Sequence, residues 1–182
     1  MARAAAGRVR LIYLDERGFS PSLTAGYSWS LPGQRKRVRY EYPQGRRVNA
    51  LAAYRPYDRA PRLEVATAER TWVAEDLVAF LKALPWAKVP RVVVLDNAGL
   101  HTKAARLARR ELIRLGIYLY FLPAYSPELN EIEPVFRQVK YQEMPVRSYT
   151  SRVGLREAVL EGFASYRGKL RPKRQRQPRP AA

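Results

Sequence analysis

Cysteine is absent from all 182 residues, which excludes disulfides, thiolate zinc sites and cysteine nucleophiles. Histidine is nearly absent too, since His101 stands alone. One imidazole without thiolates supplies too few nitrogen or sulfur ligands for zinc. No G-x-S-x-G elbow offers a serine for it to activate. Neither a P-loop nor G-x-G-x-x-G occurs, so nucleotide-driven chemistry is not expected. Apolar runs stop after a handful of residues, far short of a membrane span. The basic start MARAAAGRVR lacks the apolar stretch of a secretory leader. These absences together read as a cytoplasmic protein with no membrane partner.

Acids are scarce as well, 16 against 34 lysines and arginines, for a net charge of +18. Seven of those charges lie in the tail RGKLRPKRQRQPRP, which leaves +11 on residues 1–166. A field of that sign and size attracts polyanions and releases their condensed counterions on binding. Only seven of the basic residues are lysines, and guanidinium forks suit bidentate phosphate contact better than ammonium does. DNA is the expected partner.

What the chain does contain is enough apolar material for one packed domain: 47% hydrophobic and 11% aromatic residues. VRLIYL (9–14) reads as a buried strand. A Gly-, Pro- and Ser-rich stretch follows, with a short strand near residues 27–30, then a half-exposed strand KRVRYEY (36–42). VNALAAYRP (48–56) and RLEVAT (62–67) continue what reads as an antiparallel meander. The grammar then changes. Helical spacing over 71–86, with Thr71 as N-cap, gives way to the apolar strand RVVVL (91–95). An amphipathic helix over 102–115 ends at Gly116, and IYLYFL (117–122) is a further strand. Helices are predicted over 131–142 and 150–166. The expectation is an α/β fold in which a mixed sheet, meander first and parallel strands after, is flanked by helices. Residues 1–166 form its domain and 167–182 a basic, disordered tail.

Three acids stand in punctuated positions. Asp15 ends the first apolar run, Asp96 ends RVVVL and opens DNAGLHT, and Glu133 lies in YSPELNEIEP (125–134). Carboxylates at the C-terminal ends of neighbouring strands would share one sheet edge. With a third acid they could hold hard divalent cations, which take oxygen ligands and need no histidine. Paired ions about 3.5–4 Å apart serve phosphodiester chemistry by activating the attacking oxygen and neutralising the leaving one. Asp96-Asn97 also fits a plain turn. Pro134 pushes Glu133 toward capping the helix or a distorted first turn, with Asn130 the alternative cap. Spacing leaves Glu128 and Glu131 as rivals for the third position.

LDERGF (14–19), GYSW…PGQ (26–34), VVVLDNAGLHT (92–102) and LPAYSPELNEIEPVFRQVK (122–140) together resemble the DDE transposases of the mariner-like superfamily, most nearly their bacterial insertion-sequence branch. The likeness spans roughly residues 9–166, and four ordered motifs are more specific than one. It implies a ribonuclease-H-like catalytic domain with Mg²⁺ or Mn²⁺, as two ions. It puts the catalytic and metal-holding acids at Asp15, Asp96 and Glu133, and so selects Glu133 over Glu131. The activity implied is strand cleavage and strand transfer at transposon ends, with transposon ends and target DNA as partners and a homodimer as the active form. Glu131 stands where the family usually has proline, and Phe136 where tryptophan is common. The family's helix-turn-helix region has no counterpart here, so an upstream partner polypeptide is expected to supply it.

Basic and aromatic residues alternate in RKRVRYEYPQGRR (35–47), as on surfaces that track a backbone and stack on bases. Arg35, Lys36, Arg37 and Arg39 are the expected DNA contacts there, against the alternative of a charged edge strand. The family pattern also has a histidine at His101, for DNA contact or support of the second aspartate, and a basic residue at Lys140, for phosphate contact. Two other readings fit the residues: a non-catalytic DNA-binding module, decayed or repurposed, and a ribonuclease-H-like nuclease acting on hybrids.

Overall fold

The computed structural model describes residues 2–22, 30–34, 47–145 and 148–171. The predicted strands at 27–30 and 36–42, the four basic residues Arg35, Lys36, Arg37 and Arg39, and the tail from 172 lie outside the described residues. A short helix α1 (Ala2–Ala5) precedes strand β1 (Arg10–Phe19). Then come β2 (Val48–Arg55), β3 (Arg62–Ala68), α2 (Ala74–Ala83), β4 (Arg91–Leu95), α3 (Gly99–Arg114), β5 (Ile117–Phe121), α4 (Glu133–Gln138) and α5 (Arg152–Gly168). The five strands form one sheet in the order β3-β2-β1-β4-β5. β1–β2 and β2–β3 pair antiparallel, β1–β4 and β4–β5 parallel. The expected meander followed by parallel strands is therefore the fold.

Strand alternation sorts the core onto two faces. Ile12, Leu14, Leu51 and Ala53 face α2 and α3, where they meet Leu77, Leu81, Ala104 and Leu112. Tyr13, Ala50, Ala52 and Tyr54 face α4 and α5, where they meet Phe136, Val159 and Phe163. Phe163 stands edge-on to both Phe19 and Phe136, with ring centroids 6.0 and 6.1 Å apart. It thereby ties α5 and α4 to the far end of β1. Buried Arg91 fastens the other end: its guanidinium donates to the carbonyls of Leu84, Pro85 and Leu115, just beyond α2 and α3. A cation at helix C-termini is favoured by the unpaired carbonyls there. Among the described residues no helix is long and apolar enough to cross a membrane.

The boundaries depart from expectation for identifiable reasons. α2 starts at Ala74, and the cap is not Thr71: the Asp76 carboxylate, paired with Arg70, reaches back to accept the Val73 N–H at 3.0 Å. α3 starts three residues early because Asp96 takes the free N–H of Ala98. The helix expected over 131–142 divides into α4 and a π-helical turn, Val139–Glu143. α5 is capped by Ser151 and runs to Gly168, so Arg167 belongs to the helix and bonds the Leu63 carbonyl.

Truncating Phe163 to alanine should lower stability by about 3–5 kcal/mol, the usual cost of a large aromatic lost from a core. Chemical denaturation of the purified protein measures it. A loss below about 1 kcal/mol would mean that α5 does not secure α4 in this way.

Candidate functional site

β1 does not stop at Asp15. Antiparallel pairing with β2 carries it to Phe19, whereas parallel pairing with β4 ends at Tyr13↔Val94 because β4 is short. Asp15 therefore lies within a strand, at the point where its β4 side opens. Carrying the same register two steps further sets Asp15 level with Asp96, the residue after β4. Neighbouring strands lie about 4.8 Å apart, so two carboxylates arise side by side at one sheet edge.

A cavity of about 450 Å³ opens at this edge, and Asp15, Asp96, Asn130 and Glu133 all line it. The three acids expected from the sequence thus share one cavity. The rivals of Glu133 do not: neither Glu128 nor Glu131 lines it, and Glu131 accepts a hydrogen bond from the Tyr57 hydroxyl at 3.1 Å. Glu133 opens α4 as its first residue, with Pro134 in the first turn where a missing N–H costs nothing. Its carboxylate lies 3.6 Å from the Arg17 guanidinium.

Buried Asp15 and exposed Asp96 are held by neighbours on both faces. Asn130 donates to Asp15 Oδ2 at 3.1 Å, so it supports the aspartate and does not cap the helix. The Glu16 N–H donates to Asp15 Oδ1 at 2.8 Å. On the α3 face, fully buried His101 bridges Asp96 Oδ1 at 2.5 Å through Nδ1 and Glu16 Oε2 at 2.9 Å through Nε2. Burial as complete as this removes His101 from direct DNA contact and makes it a support for Asp96. Glu16 was not singled out from the sequence. Its place one residue after Asp15, on the opposite face of the strand, is the signal that could have found it.

The electrostatics are those of crowded anions. Burial first, then the Asp96 charge, pushes the Asp15 carboxyl up to about 7. Burial lowers the His101 pKa, but Glu16, Asp96 and Asp15 outweigh it and raise that pKa to about 9. The donor set suits a hard cation. Asp15, Glu16 and His101 offer ligand atoms within 4.8 Å of one another. The buried Oδ1 of Asn130, which lines the same cavity, has no hydrogen-bond partner. An acceptor without a donor beside repelling carboxylates fits an oxygen-bound divalent ion and its waters. Asp96 and Glu133 are not in the 4.8 Å group.

Beside the acids lies a basic rim. Burial, and then Arg17 and Arg47, hold the Lys140 ammonium below its usual range, so these three cations share one neighbourhood. Arg47 lies across Gly18, where a Cβ would come within 2.0 Å of its Nε. The glycine of LDERGF thus makes room for a guanidinium.

A family model described as DDE superfamily endonuclease matches residues 10–156. No curated protein matches the sequence. Among solved structures, the chain is similar to the Mos1 transposase paired-end complex with the left transposon end, at 20% identity and TM-score 0.60, covering 86% of this chain and 48% of that one. The Mos1 mariner paired-end complex with Mn gives 19% identity and TM-score 0.60, covering 86% and 48%. A simian T-cell lymphotropic virus intasome gives 10% identity and TM-score 0.54, covering 95% and 58%. The fold is the ribonuclease-H-like one these proteins share, and the chain spans about half the length of the Mos1 chains.

Two outcomes follow. A raised pKa stabilises the protonated form, so Asp15 contributes stability below its unfolded value of 3.8 that is lost as pH rises through about 7. His101 contributes below 6.5, and that is lost as pH rises through about 9. The metal-free protein should melt lower at pH 8 than at pH 5, and Mg²⁺ should raise the melting temperature more at pH 8, where it competes with fewer protons. Equal Mg²⁺ shifts at both pH values would contradict the assignment. Separately, Gly18→Ala must displace the Arg47 side chain. DNA affinity should fall about three- to ten-fold, the scale of one phosphate contact, with the melting temperature kept. Unchanged affinity in a filter-binding titration would remove Arg47 from the interface.

Proposed function

Since the chain belongs to the DDE superfamily endonucleases, we propose that it is the catalytic domain of a transposase that cleaves DNA at transposon ends and transfers the freed strand to target DNA. The single observation that carries this reading is the cavity shared by Asp15, Asp96 and Glu133, with Arg17 against Glu133. Asp15 and Asp96 would hold Mg²⁺ or Mn²⁺ between them, and Glu133, released from Arg17, would complete a second position. Bound there, two divalent ions supply Lewis acidity that activates the attacking oxygen and neutralises the leaving one.

The chain's own residues do the rest. Asn130 and the Glu16 N–H keep the Asp15 oxygens aimed into the cavity, and His101 does the same for Asp96 from the opposite face. Arg17, Arg47 and Lys140 draw the phosphate backbone toward the acids and fix its register without reading bases. Water attacks the scissile phosphorus and leaves a 3′-hydroxyl. That hydroxyl then attacks a target phosphodiester, so each bond broken is matched by one formed and no protein–DNA bond is needed.

The finer assignments rest on the motifs. LDERGF, VVVLDNAGLHT and LPAYSPELNEIEP support assigning the chain to the bacterial insertion-sequence branch. End recognition is assigned to a helix-turn-helix partner polypeptide, and the active form to a cytoplasmic homodimer on DNA. Residues 1–166 are taken as the catalytic domain and 167–182 as a basic segment adding salt-sensitive affinity. The basic residues Arg35, Lys36, Arg37 and Arg39 are assigned to backbone contact. A non-catalytic DNA-binding module is disfavoured, because such a module has no use for a buried Asp15 carboxylate set against the charge of Asp96.

Asp15→Asn, Asp96→Asn and Glu133→Gln should each reduce Mn²⁺-dependent nicking of supercoiled plasmid to background, with DNA affinity within about two-fold of the parent. Metal-dependent nicking retained by Asp96→Asn would sink the assignment.

A further inference from the structure

Beyond its acids, the cavity has a second half. Across its mouth the sheet order runs β1, β4, β5, so Asp15 lies on one side and Asp96 in the middle. The loop after β5 closes the other side. That loop contributes Leu122, Pro123, Ala124, Tyr125, Ser126 and Pro127, and Ala98 adds to the same mainly apolar wall. A water occupies about 30 Å³, so two cations with a handful of waters fill less than half of the roughly 450 Å³ available. The remaining room is apolar on the side away from β1.

Tyr125 is the unusual residue of that wall. Its φ of 57° is the single positive value of a non-glycine among the described residues. Glycine and asparagine adopt this conformation readily, whereas an aromatic residue adopts it at a cost. Packing does not offset the cost, because the side chain is fully exposed, at 100%. A turn alone would be better served by glycine. A strained backbone that presents a bare aromatic ring at the rim of a phosphodiester cavity makes sense when something flat covers the ring. The cations beside Glu133 draw nucleic acid to the cavity, and the flat apolar surfaces of nucleic acid are its bases.

We infer that the apolar half of the cavity is a nucleobase subsite, in which Tyr125 stacks on an unpaired base next to the scissile phosphate. The inference rests on the nuclease reading for what lies beside it, and it adds a contact to a base where the rim contacts only backbone. An unpaired base costs least to bind where the strand is already frayed or single. Stacking on an aromatic ring is sequence-tolerant, so the subsite selects strand state and not sequence.

The test compares the parent protein with Tyr125→Phe and Tyr125→Gly. Tyr125→Gly relieves the backbone and removes the ring. Binding is measured by fluorescence anisotropy in EDTA at raised salt, where backbone attraction is weakened. One labelled duplex carries a three-nucleotide 3′ overhang, and a second carries abasic sites in the overhang. Tyr125→Gly should melt at or above the parent yet bind the intact overhang about 10- to 100-fold more weakly, while Tyr125→Phe stays within about two-fold. The abasic overhang should cost the parent as much and cost Tyr125→Gly almost nothing further, the non-additivity of a shared contact. Parent-like affinity of Tyr125→Gly, or losses that multiply independently, would overturn the subsite. Loss of self-association with affinity unchanged would overturn it too and make the ring a protein contact. Plasmid nicking by the parent in Mn²⁺ is scored separately. Its absence with the stacking coupling intact would remove the nuclease reading and leave the base subsite standing.

Discussion

The parallel pairing of β1 with β4 is the constraint from which the rest follows. Its register brings Asp15 level with Asp96, at a spacing where two carboxylates repel. Neither could be held there by its own strand alone. The sheet forces the approach, and burial of Asp15 removes part of the water that would have screened the repulsion. What remains is a site whose charge is incomplete without a cation. His101 and Asn130 offset part of that charge, one from each face.

Three of the sixteen acids, Asp15, Asp96 and Glu133, line the cavity, while Arg55 and Arg91 are the arginines buried in the body among the described residues. Arg17, Arg47 and Lys140 come close enough to the cavity to influence one another, and Arg17 reaches Glu133 directly. On the proposed function, a polyanion would compete with the Glu133 carboxylate for Arg17, so that arrival of the backbone and release of the carboxylate would be one exchange.

Packing explains why α4 can carry a functional residue at its first position. α4 itself is short, and a π-helical turn follows it. A helix of that length has little stability alone. Phe136 and Phe163 secure it to α5 and to Phe19 at the end of β1, so the strand bearing Asp15 and the helix bearing Glu133 share one aromatic cluster. Glu131 is drawn to Tyr57 in the turn after β2 and away from the cavity.

Order of the described strands and helices, the two-faced burial of the sheet, and Asp15 and Asp96 were legible in the chain from local alternation and punctuation, whereas Glu133 was legible only through the family resemblance. Thr71 failed as a cap, and the single helix over 131–142 failed as one element, because Asp76 and the π turn depend on contacts that periodicity does not encode. For the same reason the sequence left His101 between DNA contact and support of the second aspartate: only the meeting of α3 with β1 buries it between Asp96 and Glu16. Asn130 read as a helix cap until its donor was seen to face Asp15, 115 positions away. The sequence by itself determined which groups were available, namely a few carboxylates, no thiol, one imidazole and an excess of guanidinium. Tertiary structure alone decided which of them share a cavity, since distance between side chains is set by strand register and helix packing and not by separation along the chain.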